Sequence, residues 1–162
     1  MNVVAERVLW HFDEPRTDTA LVRAAVWLEQ LCVLCYETAA EALPGEAHVL
    51  ARRFAAHERA HAAGMETVLQ GLTVGVRNRP EPVDVVWHLP GLGHGTRATT
   101  LAQLVELEES MLSGYQEMAR RIGDLELLRT VGTVTAGGAQ HLVALRDALG
   151  RPLVPRAFER VG

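Results

Sequence analysis

Cysteine is scarce in this sequence: the 162 residues include only Cys32 and Cys35. Their C-x-x-C spacing is found in redox motifs and in zinc sites. No second cysteine pair follows to complete a zinc site, and both residues lie within an apolar pattern of helical period. Cysteines in such a setting more often pack in a protein core, so we expect both to be buried structural residues.

Basic clusters and long apolar runs are also missing. The net charge is −4 and no cluster of basic residues stands out, which argues against a nucleic-acid-binding surface. We find no apolar run of transmembrane length and expect no association with a membrane. Glu6 and Arg7 stand where a secretory signal would have its apolar stretch. These features indicate a soluble, cytoplasmic protein.

Aromatic residues make up only 5% of the chain, whereas 48% of its residues are hydrophobic, with alanine and leucine dominant. Alanine and leucine favour helix over strand. A chain of this length can bury a substantial core within one domain. We therefore predict a single all-α domain over residues 1–162.

Apolar residues recur at three- and four-residue intervals in four long segments, which predicts four helices. The predicted helices span residues 19–43, 46–71, 97–122 and 125–149. Pro44-Gly45 ends the first helix, Gly71 is suited to cap the end of the second, and Asp124 is suited to begin the fourth.

Residues 72–96 separate the second and third predicted helices. Proline and glycine recur through this segment and exclude a long helix. Antiparallel neighbours are usually joined by short loops, so a connection of this length predicts a crossover along a four-helix bundle. Val85, Val86 and Trp87 provide apolar anchors that would hold it on the bundle. Residues 150–162, with two prolines, are predicted to lie extended over the surface.

The polar pattern of the first helix pair returns in the second. The corresponding residues are Glu29 with Glu108, Tyr36 with Tyr115, Glu58 with Gly138, and His61 with His141. Residues three or seven apart share one face of a helix. Two helix pairs that each offer one Glu and one Glu-x-x-His build the carboxylate-bridged dimetal site of four-helix bundles. One of the four carboxylates is absent here, at Gly138.

The candidate glutamates stand in apolar surroundings. Leucine precedes both Glu29 and Glu108, and a carboxylate is expensive to bury without a partner. Each glutamate taken singly could face solvent, but an inward-facing set needs a cation, and carboxylates with imidazole suit iron, manganese or zinc. Tyr36 and Tyr115 would then lie near the metal, as hydrogen-bond donors to its ligands or as redox-active phenols.

The segments that carry these residues resemble the bacterial ferritin-like domain proteins, in the superfamily that includes ferritins and rubrerythrins. The similar stretches are residues 27–39, 56–61, 105–115 and 139–150. The resemblance covers roughly residues 19–158 and implies a left-handed four-helix bundle with a dinuclear carboxylate site at its centre. It implies as ligands Glu29, Glu58 and His61 for one metal, and Glu108 and His141 for the other.

The superfamily usually supplies a bridging glutamate at the position of Gly138, so the resemblance implies a degenerate second site for iron, with manganese possible. Three functions remain open. The first is an oxygen-dependent non-haem iron oxidase or oxygenase acting on a small molecule, in which Tyr36 and Tyr115 tune the site or carry an electron. The second is a protein that holds one metal or stores iron without turnover. The third is a metal-free bundle with a structural or partner-binding role. We favour the first and expect a homodimer.

Overall fold

A computed structural model of the chain describes residues 3–13, 17–72 and 78–153, and these residues contain helices and no strand. The helices are α1 (Val3–Asp13), α2 (Asp18–Ala42), α3 (Gly45–Gly71), α4 (Pro82–His88), α5 (Arg97–Arg121) and α6 (Leu125–Ala148). The predicted all-α class is confirmed. Residues 73–77 of the predicted crossover and 154–162 of the predicted extended tail lie outside the described residues.

The four long helices begin and end within one residue of the positions that the apolar pattern predicts. Local hydrogen bonds explain three of the starts. The Thr17 side chain accepts from the Ala20 amide at the start of α2. Thr96 does the same for α5, and Asp124 does so for α6.

Two antiparallel helix pairs form the bundle. A two-residue connection joins α2 to α3, a three-residue connection joins α5 to α6, and the pairs meet where α2 contacts α5 and α3 contacts α6. Both cysteines are free and buried in α2. Within the described chain, α2 is the one helix long and apolar enough to cross a membrane by length and composition, so the expectation that no apolar run reaches transmembrane length was wrong. Most of that stretch is buried inside the bundle, as in the core helix of a soluble protein.

The crossover contains a short helix, α4, that the apolar pattern did not predict. Pro82 begins it, and Glu81 and Asp84 form a reciprocal capping box. Of the three predicted anchors only Val85 is buried, while Val86 and Trp87 are exposed, and the Trp87 ring contacts the Arg7 guanidinium of α1. The crossover nevertheless packs on α2.

A further helix, α1, lies near the N-terminus and was also not predicted. It packs against α5 and contacts α2 and α4, with Val8 fully buried. His11 stacks on Trp27 of α2 with ring centroids 4.5 Å apart, and its Nε2 lies 3.3 Å from His88 Nε2 of α4. These contacts attach α1 and α4 to the same side of the bundle.

Candidate metal centre

Each of the four long helices contributes to one buried polar cluster at the middle of the bundle. The contributing residues are Glu29 from α2, Glu58 and His61 from α3, Glu108 from α5, and His141 from α6. The side chains of the three glutamates and of His141 are at most 4% exposed, and that of His61 is 17% exposed. The alternative in which each glutamate faces solvent is therefore wrong.

The cluster divides into two groups of three ligand atoms. Glu29, Glu58 and His61 form one, with atoms within 4.8 Å of one another, and Glu58, Glu108 and His141 form the other. Glu58 belongs to both. Its Oε2 lies 2.9 Å from His61 Nδ1, and its Oε1 lies 2.8 Å from His141 Nδ1. The two oxygens of Glu58 therefore face different triads, the arrangement expected of a carboxylate that bridges two ions.

The two tyrosines reach across the bundle rather than along their own helices. Tyr36 on α2 donates to Glu108 Oε1 on α5, and Tyr115 on α5 donates to Glu29 Oε1 on α2. Both phenols are buried. This crossed pairing requires α2 and α5 to run antiparallel, because higher numbers on one helix meet lower numbers on the other.

Burial and proximity shift the ionisation of all five groups. Burial, together with the neighbouring Glu58 carboxylate, raises the pKa of Glu29 and of Glu108. Burial would also raise the pKa of Glu58, but hydrogen bonds with Glu29 and with the two histidines hold it below its ordinary value. Burial opposes the charged imidazoles, yet hydrogen bonds to the carboxylates raise the pKa of His61 to about 10 and of His141 to about 9.

These residues fit a bound metal on two observations. Glu29 Oε2 is buried and accepts no hydrogen bond, and the nearest cationic nitrogen, His61 Nδ1, is 3.4 Å away. A buried carboxylate oxygen without a partner is costly, and a metal ion would supply the missing contact. The donor set of carboxylate oxygens and imidazole nitrogens suits iron, manganese or zinc.

His57 also contributes to the site, a role that its position in the sequence did not indicate. Its Nδ1 lies 3.1 Å from His141 Nε2, while His141 Nδ1 faces Glu58 and Glu108. Both nitrogens of His141 therefore have a partner, which fixes the orientation of the ring. His57 projects about 100° away from Glu58 around α3, so only the approach of α6 brings it to the site.

Gly138 lies in the wall of a small cavity beside the cluster. The cavity measures about 10 Å³, room for roughly one water-sized ligand. Its other lining residues are Glu29, Cys32, Glu58, His61, Glu108, Met111, Leu112, Tyr115 and Val134. α6 continues as a helix through Gly137 and Gly138. That Gly138 replaces a bridging glutamate stays a prediction.

Comparisons with known proteins agree with this architecture. Residues 17–151 match the family model described as a ferritin-like domain. Among solved structures, the conserved hypothetical protein rv2844 from Mycobacterium tuberculosis superposes with a TM-score of 0.71 at 14% identity. The alignment covers 82% of this chain and 96% of that one, and at this identity it concerns the fold alone. No curated protein sequence matches the chain.

Proposed function

This chain belongs to the ferritin-like domain family, and from that premise we propose that it is an oxygen-dependent non-haem iron oxidase with a dinuclear site. The observation that carries the proposal is the position of Glu58, whose two oxygens face two separate triads. One carboxylate placed between two sets of ligands suits a pair of neighbouring ions better than a single ion.

Each residue of the cluster would have a separate role in holding the metal ions. Glu58 would bridge, Glu29 and His61 would complete one site, and Glu108 with His141 would complete the other. Iron bound there would supply the redox chemistry for the reduction of dioxygen. Tyr36 and Tyr115 hold the outer two carboxylates by hydrogen bonds, and their buried phenols are close enough to the ligands to carry an electron.

The size of the cavity favours an oxidase over an oxygenase. A space of about 10 Å³ holds about one water molecule and is too small for an organic substrate. An oxygenase must hold its substrate against the reacting oxygen, whereas an oxidase needs only a supply of electrons. We therefore propose that a small-molecule reductant acts from outside the cavity. The cytoplasmic location and the homodimer stay predictions, and size-exclusion chromatography tests the dimer.

The test is oxygen uptake by protein loaded with Fe²⁺ under anaerobic conditions. Wild-type protein should bind close to two Fe²⁺ per chain and consume dioxygen on mixing with aerated buffer, faster than the same iron in buffer alone. Glu58→Gln should abolish the protein-dependent uptake, because it removes the charge that both triads share. Glu46→Gln, on the exposed start of α3, is the control and should behave as wild type. Full iron loading with no oxygen uptake would contradict the oxidase.

A second function, a metal-free bundle with a structural role, is favoured by one observation. The tyrosines and histidines already hydrogen-bond to all three carboxylates, which leaves Glu29 Oε2 as the one carboxylate oxygen of the cluster that is fully buried and unpartnered. Elemental analysis of protein expressed in medium supplemented with iron and manganese separates the two. Near-zero metal per chain would support the structural role and contradict the metal-dependent one.

A further inference from the structure

Gly137 on α6 lies directly against the ring of His61 on α3. A Cβ atom placed on Gly137 would lie 2.7 Å from His61 Cε1 and 2.8 Å from His61 Nε2. Non-bonded carbon and nitrogen atoms do not approach so closely, since the optimal separation is about 3.5 to 4.0 Å. The observed position of the His61 ring is therefore compatible only with glycine at residue 137.

His61 depends on this contact more than the other histidine of the cluster does. His141 is held at both nitrogens, by the carboxylates and by His57. His61 is held at Nδ1 by Glu58, and within the described part of the chain its Nε2 has no hydrogen bond and faces Gly137. The His61 side chain is 17% exposed, so other side chains do not enclose it fully. Close packing against the α6 backbone therefore limits the position of the ring edge that carries Cε1 and Nε2.

We propose that Gly137 is a positioning residue for the metal centre: the absence of a side chain there seats His61 with Nδ1 directed at Glu29 and Glu58. The atoms that a new Cβ would meet are at the far end of the His61 side chain. A larger residue would therefore rotate the imidazole out of the triad without unfolding the bundle. The part of this inference that concerns metal rests on the proposed function, whereas the seating of His61 does not.

The same helix offers a matched control. Glycine is among the least favourable residues in a helix interior, and α6 contains Gly132 as well as Gly137. A Cβ on Gly132 would meet nothing within 4 Å. The substitutions Gly132→Ala and Gly137→Ala thus make the same chemical change in one helix, and only the second would crowd a histidine.

A double-mutant cycle in metal-free protein tests the contact between Gly137 and the His61 ring. Gly132→Ala should raise the folding equilibrium constant about four- to fivefold, the gain expected for alanine over glycine in a helix, with or without His61→Ala. Gly137→Ala should give this gain only together with His61→Ala, because only then is the ring removed. Equal gains from Gly137→Ala in both backgrounds would overturn the inference.

The cycle also decides the case in which a variant does not fold. If Gly137→Ala alone fails to fold and the double variant with His61→Ala folds, the crowded group is His61 and the inference stands. If neither variant folds while His61→Ala alone does, another group is crowded and the inference is overturned. Circular dichroism of the three purified proteins distinguishes these outcomes.

Titration with Co²⁺, followed by its visible absorption, tests the consequence for metal binding. Gly137→Ala should weaken one of two Co²⁺ equivalents at least tenfold and leave the other in place, whereas Gly132→Ala should match wild type. Wild-type affinity for both equivalents in Gly137→Ala would show that the seat does not position a ligand. Wild-type protein that binds no Co²⁺ would overturn the proposed function, and the metal-free cycle would still decide whether Gly137 seats His61.

Discussion

The Tyr36 hydroxyl donates a hydrogen bond to Glu108, a residue 72 positions away on the other helix pair. Tyr115 and Glu29 repeat this relationship in the opposite direction. Each tyrosine shares a helix face with a candidate ligand of its own pair and yet hydrogen-bonds to the ligand of the other. The two contacts connect α2 to α5 at the level of the polar cluster, where the halves of the bundle meet.

Replacement of the two tyrosines by phenylalanine should have unequal effects. In Tyr36→Phe, Glu108 keeps its contact with His141 at 3.2 Å. In Tyr115→Phe, Glu29 keeps only its contacts with Glu58 and with His61, the latter at 3.4 Å. Loss of a hydrogen bond to a buried carboxylate costs about 1 to 3 kcal/mol. We expect the loss of unfolding free energy to be near the upper end of this range for Tyr115→Phe and near the lower end for Tyr36→Phe. Urea denaturation of metal-free protein measures both losses. Equal losses would contradict the inference that Glu29 depends more on Tyr115 than Glu108 depends on Tyr36.

The number of bound metals should depend on which glutamate is neutralised. Glu58 is common to both triads, whereas Glu29 and Glu108 each belong to one. Glu58→Gln should therefore lose both ions, and Glu29→Gln and Glu108→Gln should each retain about one. Elemental analysis after anaerobic loading and dialysis measures this, with Glu46→Gln as the control. Retention of one ion by Glu58→Gln would show that its carboxylate does not bridge.

The stability of the metal-free protein should fall as the pH rises above neutrality. The carboxylates raise the pKa of His61 to about 10 and of His141 to about 9, from an ordinary value near 6.5. Because the folded state holds these protons more firmly than the unfolded state, their contribution is complete below pH 6.5. It is lost as the pH rises towards 9 to 10. Urea midpoints at pH 6.5, 8 and 9.5 measure the decline, which should be smaller in His61→Ala.

Metal binding should show the opposite dependence on pH. A histidine must give up its proton before that nitrogen can coordinate a metal, so Co²⁺ affinity should increase over the same pH range in which the metal-free protein loses stability. Calorimetric titrations in buffers of different ionisation enthalpy would detect the released protons. Affinity that is independent of pH between 6.5 and 9 would show that the histidines are not ligands.

Removal of His57 should weaken metal binding by the triad that contains His141 and leave the other triad unchanged. His57 Nδ1 contacts Nε2 of His141, on the side of the His141 ring that faces away from the carboxylates. Loss of a partner that orients a ligand typically lowers metal affinity about 10- to 100-fold, so His57→Ala should weaken one of two Co²⁺ equivalents by that factor. His94→Ala, in the exposed crossover, provides the control. A uniform loss of both equivalents would indicate a general effect on folding.

We predicted the four long helices from the apolar pattern, but not α1, α4 or the contact between them. The bounds of α2, α3, α5 and α6 follow from that pattern, and α4 is too short to show it. α1 does carry the pattern, with Val4 and Val8 four residues apart and buried, but it was not recognised there. Pro82 at the first position of α4 and Asp84 in its first turn are features of a helix start. His11 and His88 have no local feature that predicts their contact, which exists only because α1 and α4 pack side by side.

The sequence by itself determined the four long helices, the internal repeat and the identity of the residues that could bind a metal. It did so because the spacing of side chains along one helix is set by a local period of 3.6 residues. The tertiary structure decided that Glu58 is shared, that the tyrosines cross, that His57 supports His141 and that Gly137 lies against His61. Each of these is a distance between helices, set by how their side chains pack together, and no period within a single helix encodes it.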